Sequence, residues 1–415
     1  MKHSGVPWIG EIPKGWNIDT IGNLYTLRTE KVSDKDYAPL SVTKMGIVPQ
    51  LETAAKTDDG DNRKLVKVGD FAINSRSDRR GSCGISAYDG SVSLINLVLT
   101  PRGQMNPRFY NWLFHSELFA DEFYKWGHGI VDDLWTTRWQ EMKRITIVAP
   151  SLSEQQKIAN FLDKKCGEVD EMIALQEQII EELKAYKQSV ITEAVTKGLN
   201  PNVPMKDSGI EWIGEIPEHW EVKRLKYVSN ISRGLFNHRP RNDERYYGGI
   251  HPFIQTGDVA RSNKYIKSYS QTLSDLGISV SKLFPKGTLT MTIAANVGDV
   301  SILGFNAYFP DSVLGIIPVS GVDNIFLYYA LKAMKGEFVN AAILSTQLNL
   351  NVERVYNMKA VMPPFSEQQK IASYLDVKCP EIDSLIALKQ AKIEELKEYK
   401  KSIIYEYVTG KKEVV

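Results

Sequence analysis

The chain of 415 residues repeats itself, and this duplication constrains its fold more than any other feature. Residues 1–16 read MKHSGVPWIGEIPKGW, and residues 205–220 read MKDSGIEWIGEIPEHW. About 11 of 16 positions are identical, which marks a shared repeat unit. A second pair begins at Ser153 (SEQQKIANFLDKKC) and at Ser366 (SEQQKIASYLDVKC), and matches at about 28 of 45 positions without a gap. The order is block A, variable segment, block B, then the same again. Only faint echoes join the two variable segments: Pro107-Arg108-Phe109-Tyr110 beside Asn324-Ile325-Phe326-Leu327, and Gly69-Asp70 beside Gly287-Thr288. Repeats of about 200 residues are half-proteins, not solenoid units. A duplicated frame with divergent middles implies one scaffold holding two separately chosen surfaces.

Block B reads as helix. Ser153 and Ser366 open S-x-x-Q patterns that fit a capping box. The first helix is expected to end near Lys165 and Lys378, because Gly167 and Pro380 follow and both disfavour continuation. A second, longer helix of about 30 residues is expected beyond them, spanning about 45 Å. In it Val169, Ile173, Ile180, Leu183 and Val190 follow a 4-3 spacing, with Gln176 and Lys187 as polar interruptions. The other copy gives Ile382, Ile386, Ile393, Leu396 and Ile403, broken by Lys389 and Lys400. That period is a coiled-coil seam, and matched polar seam positions can fix register. Two near-identical helices in one chain are expected to pair antiparallel about a pseudo-two-fold axis. The fold class is thus α+β: two α/β domains in tandem repeat, separated by two long helices that form an antiparallel coiled coil. The expected division is 1–152, 153–200, 201–365 and 366–415.

Within the variable segments, strands are expected at Leu65–Asn74, Ser91–Leu99, Thr288–Ala294 and Val313–Val319. One helix each is expected at Phe109–Lys125 and Phe326–Ala342. Net charge is only +1, which by itself argues weakly against a nucleic-acid partner. Its distribution argues otherwise. Residues 222–245 carry about seven basic side chains against two acids, enough to neutralise several phosphates. From this stretch Arg233, Asn237, Arg239 and Arg241 are candidate DNA contacts, and Arg76, Arg79 and Arg80 of the NSRSDRRG loop are their counterparts. Arginine can read guanine bidentately as well as bind phosphate. Two further stretches precede the B blocks: 132–138, with Trp135 and Arg138, and 345–351, with Gln347, Asn349 and Asn351. Asn and Gln can pair with adenine edges. For each cluster the competing reading is a solvated surface or turn chemistry.

Catalytic signatures are missing from the sequence. It has no GxxxxGK[ST] phosphate loop, no HExxH and no GxSxG elbow. Met362-Pro363-Pro364-Phe365 resembles the [DNS]-P-P-[YF] motif of amino-methyltransferases but has Met where a polar acceptor is needed. Three cysteines without CxxC spacing suit a reducing compartment, and Cys166 and Cys379 share a repeat position that suits a small buried side chain. No apolar run reaches the ~18 residues of a membrane span, and the N-terminus has no signal-peptide core, so a cytoplasmic location is expected.

The twin WIGEIP..W blocks, the twin SEQQKIA..LD blocks and their EELK.YK helices resemble the specificity (S) subunit of type I restriction–modification systems. The resemblance covers essentially the whole chain. It implies that each variable segment is a target recognition domain for one half of a bipartite double-stranded DNA sequence. The paired helices would be a ruler between them. It further implies docking of two methyltransferase (M) subunits, with restriction (R) subunits joining that core. No catalytic site or cofactor would belong to this chain. S-adenosylmethionine, ATP and Mg²⁺ would be brought by the partners, into one of which the target adenine would be flipped. A stand-alone DNA methyltransferase and a non-catalytic interaction scaffold are the alternatives.

Overall fold

A computed structural model describes residues 1–52, 60–129, 135–343 and 350–414. The chain packs into two compact units, residues 1–178 with 390–415, and residues 179–389.

In the first unit, block A is a hairpin in which Lys2–His3 pairs with Glu11–Ile12. Ile9, Ile12 and Trp16 are buried beneath it. The next strand, Asn17–Thr20, pairs antiparallel with Thr146–Ala149. This ladder closes the variable segment at its base. Inside it, β1 (Tyr25–Leu27), β2 (Phe71–Asn74), β3 (Cys83–Ile85) and β4 (Asn96–Pro101) form an antiparallel sheet of order β3-β2-β4-β1. The expected strand Leu65–Asn74 is two strands, Arg63–Val66 and β2, because Gly69 turns the chain at a φ of +87°. Ser91–Leu99 likewise divides into Gly90–Val92 and β4.

Helices α1 (Pro107–His115) and α2 (Glu117–Lys125) cover that sheet. Phe109, Tyr110, Leu113 and Phe114 recur on one face of α1, and all are buried against Tyr25 and Phe71. A single helix was the sequence expectation. Ser116 divides it, because its extended backbone ends α1 while its hydroxyl caps the Phe119 N–H of α2.

Helix α3 (Leu152–Lys197) follows, and it has no break. Gly167 does not end it. Its copy, α6 (Phe365–Val408), runs straight through Pro380. These are corrections to the expected short-helix, long-helix arrangement. Gly and Pro cost a helix interior about 1 and 3 kcal/mol relative to Ala. The neighbours Cys166 and Cys379 pack into the unit cores, Val169 and Ile382 are buried beside them, and that burial outweighs the local cost. At 1.5 Å per residue, helices of 46 and 44 residues are about 65–70 Å long, beyond the expected ~45 Å.

The second unit repeats the plan. Met205–Asp207 pairs with Glu215–Pro217, and Glu221–Arg224 closes the base against Lys359–Met362. Inside, β5 (Ser229–Arg233), β6 (Leu289–Thr292), β7 (Val300–Leu303) and β8 (Val313–Pro318) take the order β7-β6-β8-β5. This is the arrangement of the first unit's sheet, from a sequence with almost no identity to it. Tyr265–Ile266 adds a parallel edge strand beside β7. Helices α4 (Asn324–Ala333) and α5 (Lys335–Ile343) again stand where one helix was expected.

Each unit also holds a stretch of both long helices, which run antiparallel there. In the first unit Lys400 Nζ lies 2.6 and 2.7 Å from the Asp170 carboxylate, and the Phe161 and Tyr407 rings are 4.3 Å apart. In the second, Lys187 Nζ lies 2.6 and 2.7 Å from Asp383. Lys187 and Lys400 are repeat equivalents, as are Asp170 and Asp383. Each pair joins the lysine of one copy to the aspartate of the other. Of the seam residues, Val169, Ile180, Val190, Ile382, Ile393, Leu396 and Ile403 are buried, and Ile173, Leu183 and Ile386 are half-buried.

Candidate nucleic-acid interface

Within each unit, one repeated tetrapeptide anchors the recognition segment to its long helix. Glu154 Oε1 accepts from the Trp16 indole at 2.9 Å, and Glu367 Oε2 accepts from Trp220 at 2.9 Å. The following glutamines are buried. Gln155 donates to the Pro150 carbonyl at 2.9 Å and accepts from the Asn106 N–H at 2.8 Å. Gln368 donates to Pro363 at 2.8 Å and accepts from Asp323 at 2.8 Å. Asn106 and Asp323 are the N-caps of α1 and α4. Block A, the helix that backs the sheet, and the long helix therefore meet at SEQQ. The capping box of α3 lies two residues earlier than the sequence suggested, with the Ser151 hydroxyl and Glu154 carboxylate 2.7 Å apart. Burial works against the charge of both glutamates. Donors from Ser151 and Trp16, or Trp220 and His219, outweigh it and hold both carboxyls below their ordinary value.

Above this frame the first unit gathers several of the expected contacts. Arg76 pairs across a β-bridge with Thr136, and Ser77 N–H donates to the Trp135 carbonyl at 3.1 Å. The NSRSDRRG loop and the 135–138 stretch are thus one surface. Trp135 itself is half-buried, its indole donating to the Tyr124 carbonyl at 2.8 Å. Arg79 and Arg138 are exposed, and Arg80 pairs with Asp121. Arg76 and Arg79 line a cleft of about 810 Å³.

The second unit spreads its candidates along the segment after β5. Arg233 ends that strand and is exposed, and the Asn237 N–H donates to Val280 at 3.1 Å. Arg239 Nη1 donates to the Phe236 and His238 carbonyls at 3.1 and 2.8 Å. Arg241 Nη2 holds Asp311 at 2.7 and 2.8 Å, and Arg245 holds Asp243 at 2.7 Å. The Arg245 side chain, hydrogen-bonded to Asp243, keeps that carboxyl well below the usual carboxylate range. The Arg241–Asp311 pair is open to water and contributes little to stability. Asn351 caps the helix Val352–Asn357 by accepting from the Glu353 N–H at 3.0 Å. Gln347 and Asn349 lie outside the described residues.

Several known proteins share this architecture. Residues 217–398 match the type I restriction modification DNA specificity domain. The putative MjaX specificity subunit of Methanocaldococcus jannaschii is 26% identical, over 97% of this chain and 95% of its own length. The chain is thus similar, over nearly its whole length, to type I restriction–modification specificity subunits. The MjaVIII specificity subunit of the same organism is 25% identical over 96% of this chain and 93% of its own. Among solved structures, a chain from a study of complex assembly and conformational transition in a type I R-M system superposes with a TM-score of 0.73. It is 16% identical and covers 96% of this chain and 98% of its own. The HsdS subunit from Thermoanaerobacter tengcongensis gives 0.54 at 17% identity, over 99% of this chain and all of its own.

The sequence reading missed a further part of the first unit's cleft lining. Leu40–Thr43 and Lys44 line the cleft, and that strand pairs with Gly46–Pro49 as a β-ribbon with Lys44 at its tip. The alternating Leu40 and Val42, followed after Gly46 by the β-branched Ile47 and Val48, were its signal. All three cysteines are buried, and burial raises each thiol, that of Cys166 to about 11, far from a reactive thiolate. No group of three metal-ligating side chains occurs among the described residues, and no helix among them is long and apolar enough to cross a membrane.

Proposed function

We propose that this chain is the DNA-recognition subunit of a type I restriction–modification complex, each unit reading one half of a bipartite target. One observation carries this reading. The same four-stranded sheet is anchored to the same SEQQ frame twice, while the loops above it share almost no sequence. Stability needs explain a repeated frame. They do not explain two different polar and basic surfaces built on it.

The chain contributes recognition and assembly, not chemistry. S-adenosylmethionine, ATP and Mg²⁺ act in partner subunits, and the complex works in the cytoplasm. Two M subunits dock on equivalent surfaces, with R subunits joining them. The long helices support that stoichiometry. Met172, Leu175 and Tyr399 are exposed in the first unit, and their repeat equivalents Leu385, Leu388 and Tyr186 are exposed in the second. Apolar side chains left in water at matched positions suit two copies of one partner.

The test is to assemble the chain with its methyltransferase subunits and map the methylated adenines. Residues 17–152 are then exchanged for the segment of another family member. One half-site should change and the other should stay. A change in both half-sites, or methyl transfer to DNA by the purified chain alone, would overturn the proposal. In the same complex, Arg79→Ala should weaken binding to all sequences alike and reduce the salt slope by about 1.

A further inference from the structure

We propose that the ribbon Leu40–Pro49 is the first unit's major-groove reading element, with Met45 set against the methyl group of a thymine. The inference rests on the DNA-recognition function proposed above. Met45 is 94% exposed, and Ile250 in the second unit is 84% exposed. No other large apolar side chain among the described residues exceeds 66%. A methionine that touches nothing adds nothing to folding, so the fold does not account for its presence at the tip.

The tip is firmly presented. Thr43 Oγ1 accepts from the Met45 N–H at 3.1 Å and donates to the Gly46 carbonyl at 2.9 Å. Gly46 turns the chain at a φ of +107°. Behind the tip, Leu40 and Ile47 are buried against Val66, Val92 and Val98. The ribbon lies directly on β3, where a Cβ on Gly84 would come within 2.8 Å of the Gly46 Cα. Rigid backing lets a reading element keep its geometry.

Shape and chemistry then select the ligand. The major groove of B-DNA is about 12 Å wide and admits a two-stranded ribbon. Along its floor the thymine methyl is the apolar group that a base edge offers. Lys44, adjoining Met45, and Arg76 and Arg79, which line the same cleft, supply the positive charge that draws phosphates to this lip. A flexible thioether suits a methyl-sized contact.

The experiment uses the complete complex with its methyltransferase subunits and a duplex bearing the mapped target. Each thymine of the first unit's half-site is replaced in turn by uracil, which lacks only the methyl group. At one position wild-type affinity should fall about fourfold, the worth of one buried methyl-sized group. Met45→Ala should bind the thymine duplex about fourfold more weakly and be indifferent to uracil there, while Met45→Leu restores the response. The exposed position leaves the melting temperature of each variant unchanged. If no uracil position matters, or if Met45→Ala responds to uracil as wild type does, the inference falls while the recognition function stands. A wild-type complex without preference for its mapped target would instead remove the function, and this inference with it.

Discussion

Gln368→Ala should destabilise the second unit by about 2–4 kcal/mol. The side chain is 3% exposed and makes three hydrogen bonds to backbone, accepting from Asp323 and donating to Pro363 and, at 3.5 Å, to Gly321. Truncation leaves the Asp323 N–H and the Pro363 carbonyl short of a partner in a buried place. Each orphaned group costs about 1–3 kcal/mol. The void left by the amide adds to the cost, unless water enters and offsets part of the loss. For a unit of about 200 residues, each kcal/mol moves the melting temperature about 2–4 °C, so the shift should be roughly 4–16 °C. Urea unfolding gives the free energy, and hydrogen exchange at the Asp323 amide gives the local effect. The neighbouring Gln369 is exposed, so Gln369→Ala is the matched control and should stay within about 0.5 kcal/mol. If the two variants unfold alike and the Asp323 amide exchanges as in wild type, Gln368 does not anchor α4 to the long helix.

Lys187→Ala should cost about 1–2 kcal/mol and Lys400→Ala less than about 1, because the Asp383 side chain is 31% exposed and Asp170 58%; urea titrations of both variants measure the difference, and equal costs would contradict it. Pro380→Ala should stabilise the second unit by about 1–3 kcal/mol, since its exposed ring stands inside an unbroken helix; loss of stability would contradict that continuity. Acid should weaken both units. Glu154 and Glu367 have folded values below the ordinary 4.5, so their contribution is complete above that value and is lost as pH falls through the folded one. Melting temperatures between pH 7 and pH 3 should therefore decline less steeply in Glu154→Gln than in wild type, and identical acid limbs would refute the assignment.

How much of the site was legible varied residue by residue. The basic loop at Arg76 and Arg79 was visible as charge, because charge is a property of composition. Its union with Trp135 was not, since the β-bridge between Arg76 and Thr136 joins segments about 60 residues apart and leaves no local periodicity. Asn351 looked like a reading side chain and is engaged as a helix cap, a use that Asn has in many loops. Met45 drew no attention in the sequence, where a lone methionine looks the same whether buried or bare.

The sequence by itself determined the duplication, the long helices and the polar breaks in their seam. Those features are periodic, and periodicity survives without coordinates. Tertiary structure alone decided what the breaks are for. Lys187 meets Asp383 and Lys400 meets Asp170, each lysine finding the other copy's aspartate. It also decided that α3 and α6 run on through Gly167 and Pro380, because burial on either side outweighs a local propensity of a few kcal/mol. Finally, it gave two dissimilar segments one sheet order. Burial pattern and a common frame fix a sheet, while the residues facing solvent are left free to differ.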